Sequence, residues 1–243
     1  MKKYTLLYIA LILAQVGLAQ ENVYPAKKQD KPVFISNGTV HVGNGTVLNN
    51  TSVEINDGKV VNVGTGITPS ANAIVIDAKG KHVYPGLILS NSNLGLVEVN
   101  SVRASADAVE IGDFNSNIKS LVAYNTDSKV INTLKTNGIT LANIVPQGGI
   151  ISGSSSVVQL DAWNWEDAAY AKDNGIHLNM PALFNRPNPY AAFMGAAGPA
   201  GDPVKRGLEE LEKIKSFFSE AKAYLTQTNH DQTNLKFEAV RGL

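Results

Sequence analysis

Between residues 32 and 76 the chain repeats one device: a short β-branched, apolar run followed by a separator rich in Asn, Asp and Gly. The runs are 33–36, 39–42, 51–55, 59–63 and 74–76, and the separators include Asn37-Gly38, Gly43-Asn44-Gly45 and Asp57-Gly58. Asn-Gly and Asp-Gly tolerate the positive φ that tight hairpins demand, so this spacing predicts a small antiparallel sheet over 32–84. Val53-Glu54-Ile55-Asn56-Asp57-Gly58-Lys59-Val60 is its clearest hairpin. The triplets that begin at Asn37, Asn44 and Asn50 read as turns rather than glycan acceptors.

The texture then changes at Gly80-Lys81-His82-Val83-Tyr84-Pro85-Gly86-Leu87-Ile88-Leu89-Ser90-Asn91-Ser92-Asn93. A Pro-Gly entry precedes an apolar run that reads as a buried strand with a polar end. From Gly80 to Ile88 this segment resembles the first barrel strand of the amidohydrolase superfamily, of the imidazolonepropionase-like type. There a Gly-Lys-x-Val-x-Pro-Gly-Leu-Ile-Asp lead-in is followed by His-x-His. The resemblance implies a (β/α)8 TIM-like barrel and a metal-dependent hydrolase of non-peptide C–N bonds. It also implies zinc or another divalent ion, held by two histidines that share one face of the strand.

Here Leu89 replaces the Asp, and Asn91 and Asn93 replace both histidines. Carboxamide oxygens are weak, hard ligands better suited to calcium, so no metal or other cofactor is assigned. Asn91 and Asn93 read either as a polar ligand-binding spot at a barrel mouth or as a strand-end turn.

Residues 96–117 carry Arg103, Asp107, Glu110 and Asp113, either in an insert facing substrate or in a solvated loop. A helix is expected over 128–137, with Val130, Ile131 and Leu134 inward and Asn137-Gly138 as its stop, then a strand over 139–145. That strand–helix–strand order suits a parallel sheet. The fold class is therefore α/β with a small β domain: an antiparallel sheet over 32–84, then the first half of a TIM-like barrel over 85–243.

Residues 146–156 read as the most loop-like stretch, with Gln147, Gly148, Gly149, Ser152 and Ser154 as candidates for ligand contact or as parts of a flexible linker. A strand over 157–161 ends at Asp161 beside Trp163 and Trp165. Asp161 reads as a general base, or the tryptophans pack and the acids cap the next helix. Residues 185–203, rich in Pro, Gly and Ala, read as a long surface excursion. Asp202-Pro203 opens a helix with Leu208, Leu211, Ile214, Phe218, Ala221 and Leu225 on one face and a Glu209–Lys213 pair on the other. A second helical stretch is expected over 233–241. His41, His82, His177 and His230 are isolated in sequence, without chelating spacing.

Lys2 and Lys3, the apolar run 4–13 and Gly17-Leu18-Ala19 have the form of a signal peptide over 1–19, with a linker over 20–31. This predicts a secreted or periplasmic bacterial protein without a membrane anchor. The absence of cysteine excludes thiol chemistry and disulfides. With 21 basic and 21 acidic side chains there is no long-range field to collect nucleic acid, so a small molecule is the expected partner. The family's other metal ligands come from later strands, so the chain reads as a truncated or fragmentary hydrolase of impaired activity. The alternative is a non-catalytic binding protein on the same scaffold.

Overall fold

The computed structural model describes residues 25–184, 201–227, 229 and 232–243. The signal peptide, the first part of the linker, His230 and most of the 185–203 excursion lie outside the described residues. Strand β1 (Val33–His41) pairs antiparallel with β2 (Val47–Asn56), which pairs antiparallel with β3 (Lys59–Gly64). Asp57 and Gly58 join β2 to β3 with φ of 48° and 68°, the two positive values that a type I′ hairpin needs.

Two expectations for this sheet change. Asn37-Gly38 does not end a strand, since β1 runs through it with a register shift and Asn37 at φ 55°. Asn37 holds that conformation by donating from Nδ2 to Asp77 Oδ1 at 3.0 Å. The sheet is also mixed rather than antiparallel, because β4 (Ile74–Asp77) and β5 (His82–Val83) both pair parallel with β1. The chain between β3 and β4 crosses to the far edge, and on its way the Ser70 amide donates to the buried Glu54 carboxylate at 2.9 Å.

A second sheet has the order β6-β7-β8-β9. Strands β6 (Leu87–Ser92) and β7 (Ile139–Ile144) are parallel, connected through helix α1 (Lys129–Thr136). Helix α1 stops at Asn137-Gly138, where Gly138 takes φ 82°. Ile131 of α1 packs into a core with Leu94, Leu121, Tyr124, Ala142, Ile144 and Val158. The parallel rhythm ends there. Strands β8 (Ile151–Gln159) and β9 (Ala169–Leu178) add antiparallel, because the short 145–150 connection leaves no room for a crossover helix.

Strand β8 corrects the loop expected over 146–156. From Ile151 to Ser156 every residue is buried strand. Its Gly and Ser content reflects close packing: residues 114–119 lie alongside, with the Asn115 amide donating to Ile151 O and the Ser154 amide to Ile118 O, each at 2.8 Å. A Cβ on Gly153 would stand 2.6 Å from Ile118 O. Small residues also make loops, so composition alone misplaces this strand.

Between β8 and β9 lies the short helix α2 (Trp165–Ala168). The cap is Asn164 rather than an acid: its Oδ1 accepts from the Asp167 amide at 2.8 Å, while Asp167 Oδ2 reaches back to the Trp163 amide at 3.0 Å. Helix α3 (Pro203–Leu225) starts as expected, Asp202 Oδ1 accepting from the Val204 amide at 2.9 Å. Its inward face is Gly207, Ile214, Phe217 and Ala221, whereas Leu208 is 53% exposed. The expected face holds at Ile214, Phe218 and Ala221 and departs at Leu208, where Gly207 instead admits Leu183 closely, and at Phe217, which stacks on Phe114 at 4.7 Å. Lys213 faces Asp113 rather than Glu209, at 3.9 Å. The second helical stretch shortens to α4 (Leu235–Glu238), capped by Asn234.

Candidate functional site

The polar end of β6 meets the end of β7 where the Val145 amide donates to Ser92 O at 2.8 Å. Between the pairs Leu89↔Ala142 and Ser92↔Ile144, two residues of β6, Ser90 and Asn91, oppose the single residue Asn143. This is a β-bulge, a feature that re-aims side chains at strand ends. Asn91 adopts φ 50°, a left-handed conformation that Asn tolerates better than most residues. Asn93 lies one residue beyond β6, and its carbonyl accepts from the Leu96 and Val97 amides. The strand-end turn is closed by Ser92, whose Oγ accepts from the Leu94 amide at 3.1 Å. Among the described residues neither the Asn91 nor the Asn93 carboxamide has a hydrogen-bond partner.

Sequence reasoning missed Asn143. Its neighbours Ala142 and Ile144 point into the core, so strand alternation turns Asn143 to the opposite face of the sheet. Its Oδ1 is buried without a hydrogen-bond partner. Leaving an acceptor in that state costs about 1–3 kcal/mol, and the oxygen is a place where a donor from water or ligand is favoured. The only sequence signal for it is a polar residue within an apolar strand.

The other candidates do not join this group as expected. Gln147, Gly148 and Gly149 pack against residues 108–113: the Gln147 amide donates to Ala108 O at 2.7 Å, and a Cβ on Gly149 would stand 2.7 Å from Gly112 O. Asn179 Nδ2 donates to Gly149 O at 3.0 Å and to the buried Ser152 Oγ at 2.9 Å. Ser154 Oγ is bonded to Ile118 O and Asp173 Oδ1. These glycines and serines knit loops to β8.

Asp161 lies at the other end of the sheet, because β8 runs antiparallel to β7. It pairs with Lys135 of α1 and accepts from the Ala26 amide. Burial pushes its pKa up, but the Lys135 hydrogen bond, the Ala26 amide and the Lys135 charge outweigh this and hold it below the ordinary carboxylate value. An ionised, paired carboxylate is a poor general base. It borders a cleft of about 410 Å³ with Asp127, Lys129 and Trp163.

On the side of the β7 end, a cleft of about 360 Å³ is lined by Asp107, Glu110, Asn117, Lys119 and Pro146. Two of the five charged residues of the 96–117 segment, Asp107 and Glu110, therefore border a concavity. Lys119 is engaged with Asp173 at 2.6 Å.

A catalytic zinc does not fit the β6–β7 end. Its donors are the neutral carboxamides of Asn91, Asn93 and Asn143, and among the described residues no group of three or more His, Asp or Glu could hold a metal. Two histidines that are isolated in sequence do meet elsewhere. His41 on β1 and His82 on β5 approach to 2.9 Å between Nε2 and Nδ1, with Tyr84 stacked on His41 at 4.1 Å. The parallel pairing of a two-residue strand left no readable signal for this.

No family model matches the chain. It is 30% identical over 173 residues to a dihydroorotase from Trichlorobacter lovleyi, an alignment covering 67% of this chain and 39% of that protein. An amidohydrolase from Thermotoga maritima superposes on 85% of this chain with a TM-score of 0.66 at 21% identity, and 54% of that structure is matched. The latter likeness concerns the fold alone. The chain thus spans about two fifths of the one relative and about half of the other. The chain is thus similar in sequence to part of a dihydroorotase and in fold to part of an amidohydrolase.

Proposed function

We propose that this chain is part of an exported, amidohydrolase-type protein of the class that hydrolyses non-peptide C–N bonds, with residues 85–243 contributing to a TIM-like barrel. In this reading the end of β6 and β7 binds an amide-bearing small molecule and does not hold zinc. The observation that carries it is the donor chemistry: three carboxamides, one with a buried, unpartnered oxygen, offer complementary hydrogen bonds to an amide and little to a zinc ion. The similarity to a dihydroorotase supports the hydrolase class. The lysine-led apolar N-terminus supports export.

The test is elemental analysis of the purified chain together with calorimetric titration and a ring-opening assay using hydantoin as a cyclic amide probe. The expected result is binding without hydrolysis, less than one zinc per chain, and weaker binding in Asn143→Leu. Stoichiometric zinc with hydrolysis, or hydantoin affinity indifferent to Asn143→Leu, would overturn the reading.

A further inference from the structure

We propose that His41 and His82 form a surface site for a divalent late first-row transition ion that accepts nitrogen ligands at right angles, Cu²⁺ or Ni²⁺. The site stands on backbone pairing. In the parallel ladder Thr39 faces His82 and Val40 faces Val83, so His41, two residues beyond Thr39, projects from the same face as His82, while Val40 turns into the core. Both imidazoles are therefore fixed by neighbouring strands rather than by loops.

Their nitrogens are 2.9 Å apart. Two nitrogens at about 2.0–2.1 Å from one ion and this far apart subtend close to a right angle, whereas tetrahedral zinc would require about 3.3 Å. Ring centroids 5.1 Å apart show the nitrogens meeting head to head across one hydrogen. On metal entry that hydrogen moves through solvent to the far nitrogen of its own ring, so a neutral pair presents two lone pairs without net proton release. A small rotation of each ring aims its lone pair at the ion while the nitrogens stay near the 2.9 Å that sets the right angle. His82, exposed and in the looser contact with Tyr84 at 6.0 Å, makes most of that movement, while closer stacking at 4.1 Å steadies His41. Water fills the remaining positions.

Calorimetric titration of the whole chain with NiCl₂ and with ZnCl₂ tests the site, with His41→Gln, His82→Gln and, as a control, His177→Gln. The expected result is one Ni²⁺ per chain, bound more tightly than Zn²⁺, weakened at least about tenfold by either His41→Gln or His82→Gln and unchanged by His177→Gln. Cu²⁺ electron paramagnetic resonance on the unaltered chain gives a readout independent of whether the variants fold, with two imidazole nitrogens expected in the ligand set. Ni²⁺ affinity undiminished in both variants, tighter binding of Zn²⁺, or a Cu²⁺ spectrum without imidazole nitrogen would overturn the proposal.

Discussion

Asn143 holds a carboxamide oxygen where hydrocarbon would be cheaper. Asn143→Leu, with the same number and branching of side-chain heavy atoms though a larger volume, removes the unpaired acceptor and is expected to raise stability by about 1 kcal/mol in urea unfolding; a loss of that size would mean the oxygen is satisfied by bound water. Glycines divide by what surrounds them. Gly153→Ala forces a Cβ against Ile118 O at a φ of 133° and is expected to cost about 1–3 kcal/mol. Gly58→Ala meets nothing within 4 Å and is expected to cost about 1 kcal/mol, from its positive φ alone. His177 supplies a pH dependence. Burial on β9 lowers its pKa below the ordinary 6.5, so the unfolded chain takes up a proton first as pH falls. Stability is expected to be full above about 6.5 and to decline as pH drops through the folded value. Urea midpoints between pH 7.5 and 5.5 measure this, and His177→Gln is expected to flatten the profile.

At the scale of elements, α3 illustrates both what sequence reveals and what it hides. The Asp202-Pro203 start rests on local chemistry, and Asp202→Ala is expected to cost about 1 kcal/mol. The buried face depends on neighbours far away in sequence. Ile214→Ala is expected to cost about 2–5 kcal/mol, while Leu208→Glu stays within about 0.5 kcal/mol of the parent. Thermal unfolding of the two variants separates Ile214, where the expected face is buried, from Leu208, where it is not. The same division runs through the chain. The Asp57-Gly58 hairpin, α1 with its Asn137-Gly138 stop, and the polar end of β6 were legible, because each is set by residues within one turn of the chain. The 151–156 part of β8, the parallel arrival of β4 and β5, and β9 were not, since they answer to partners 11 to 43 residues away in sequence. The candidate site follows suit: Asn91 and Asn93 could be read from a local motif, and Asn143 only from register.

For the whole molecule, the notable surface is apolar. Leu87 and Ile88 on edge strand β6, Val60 and Val61 on β3, and Val75 on β4 are all more than half exposed. Apolar edges of this kind invite further pairing. Ile88→Lys is expected to reduce binding of a hydrophobic dye and self-association in sedimentation, with little change in unfolding midpoint. A different consequence follows from the stretch read as a linker. Ala26 donates to Asp161 beside the second sheet, while Gln29 bonds to Ile55 O and Gly58 N of the first. Between those anchors stand the exposed Lys27 and Lys28. These few residues act as a tether across the two sheets, and a single tryptic cut there would sever it while leaving both sheets' hydrogen bonds intact.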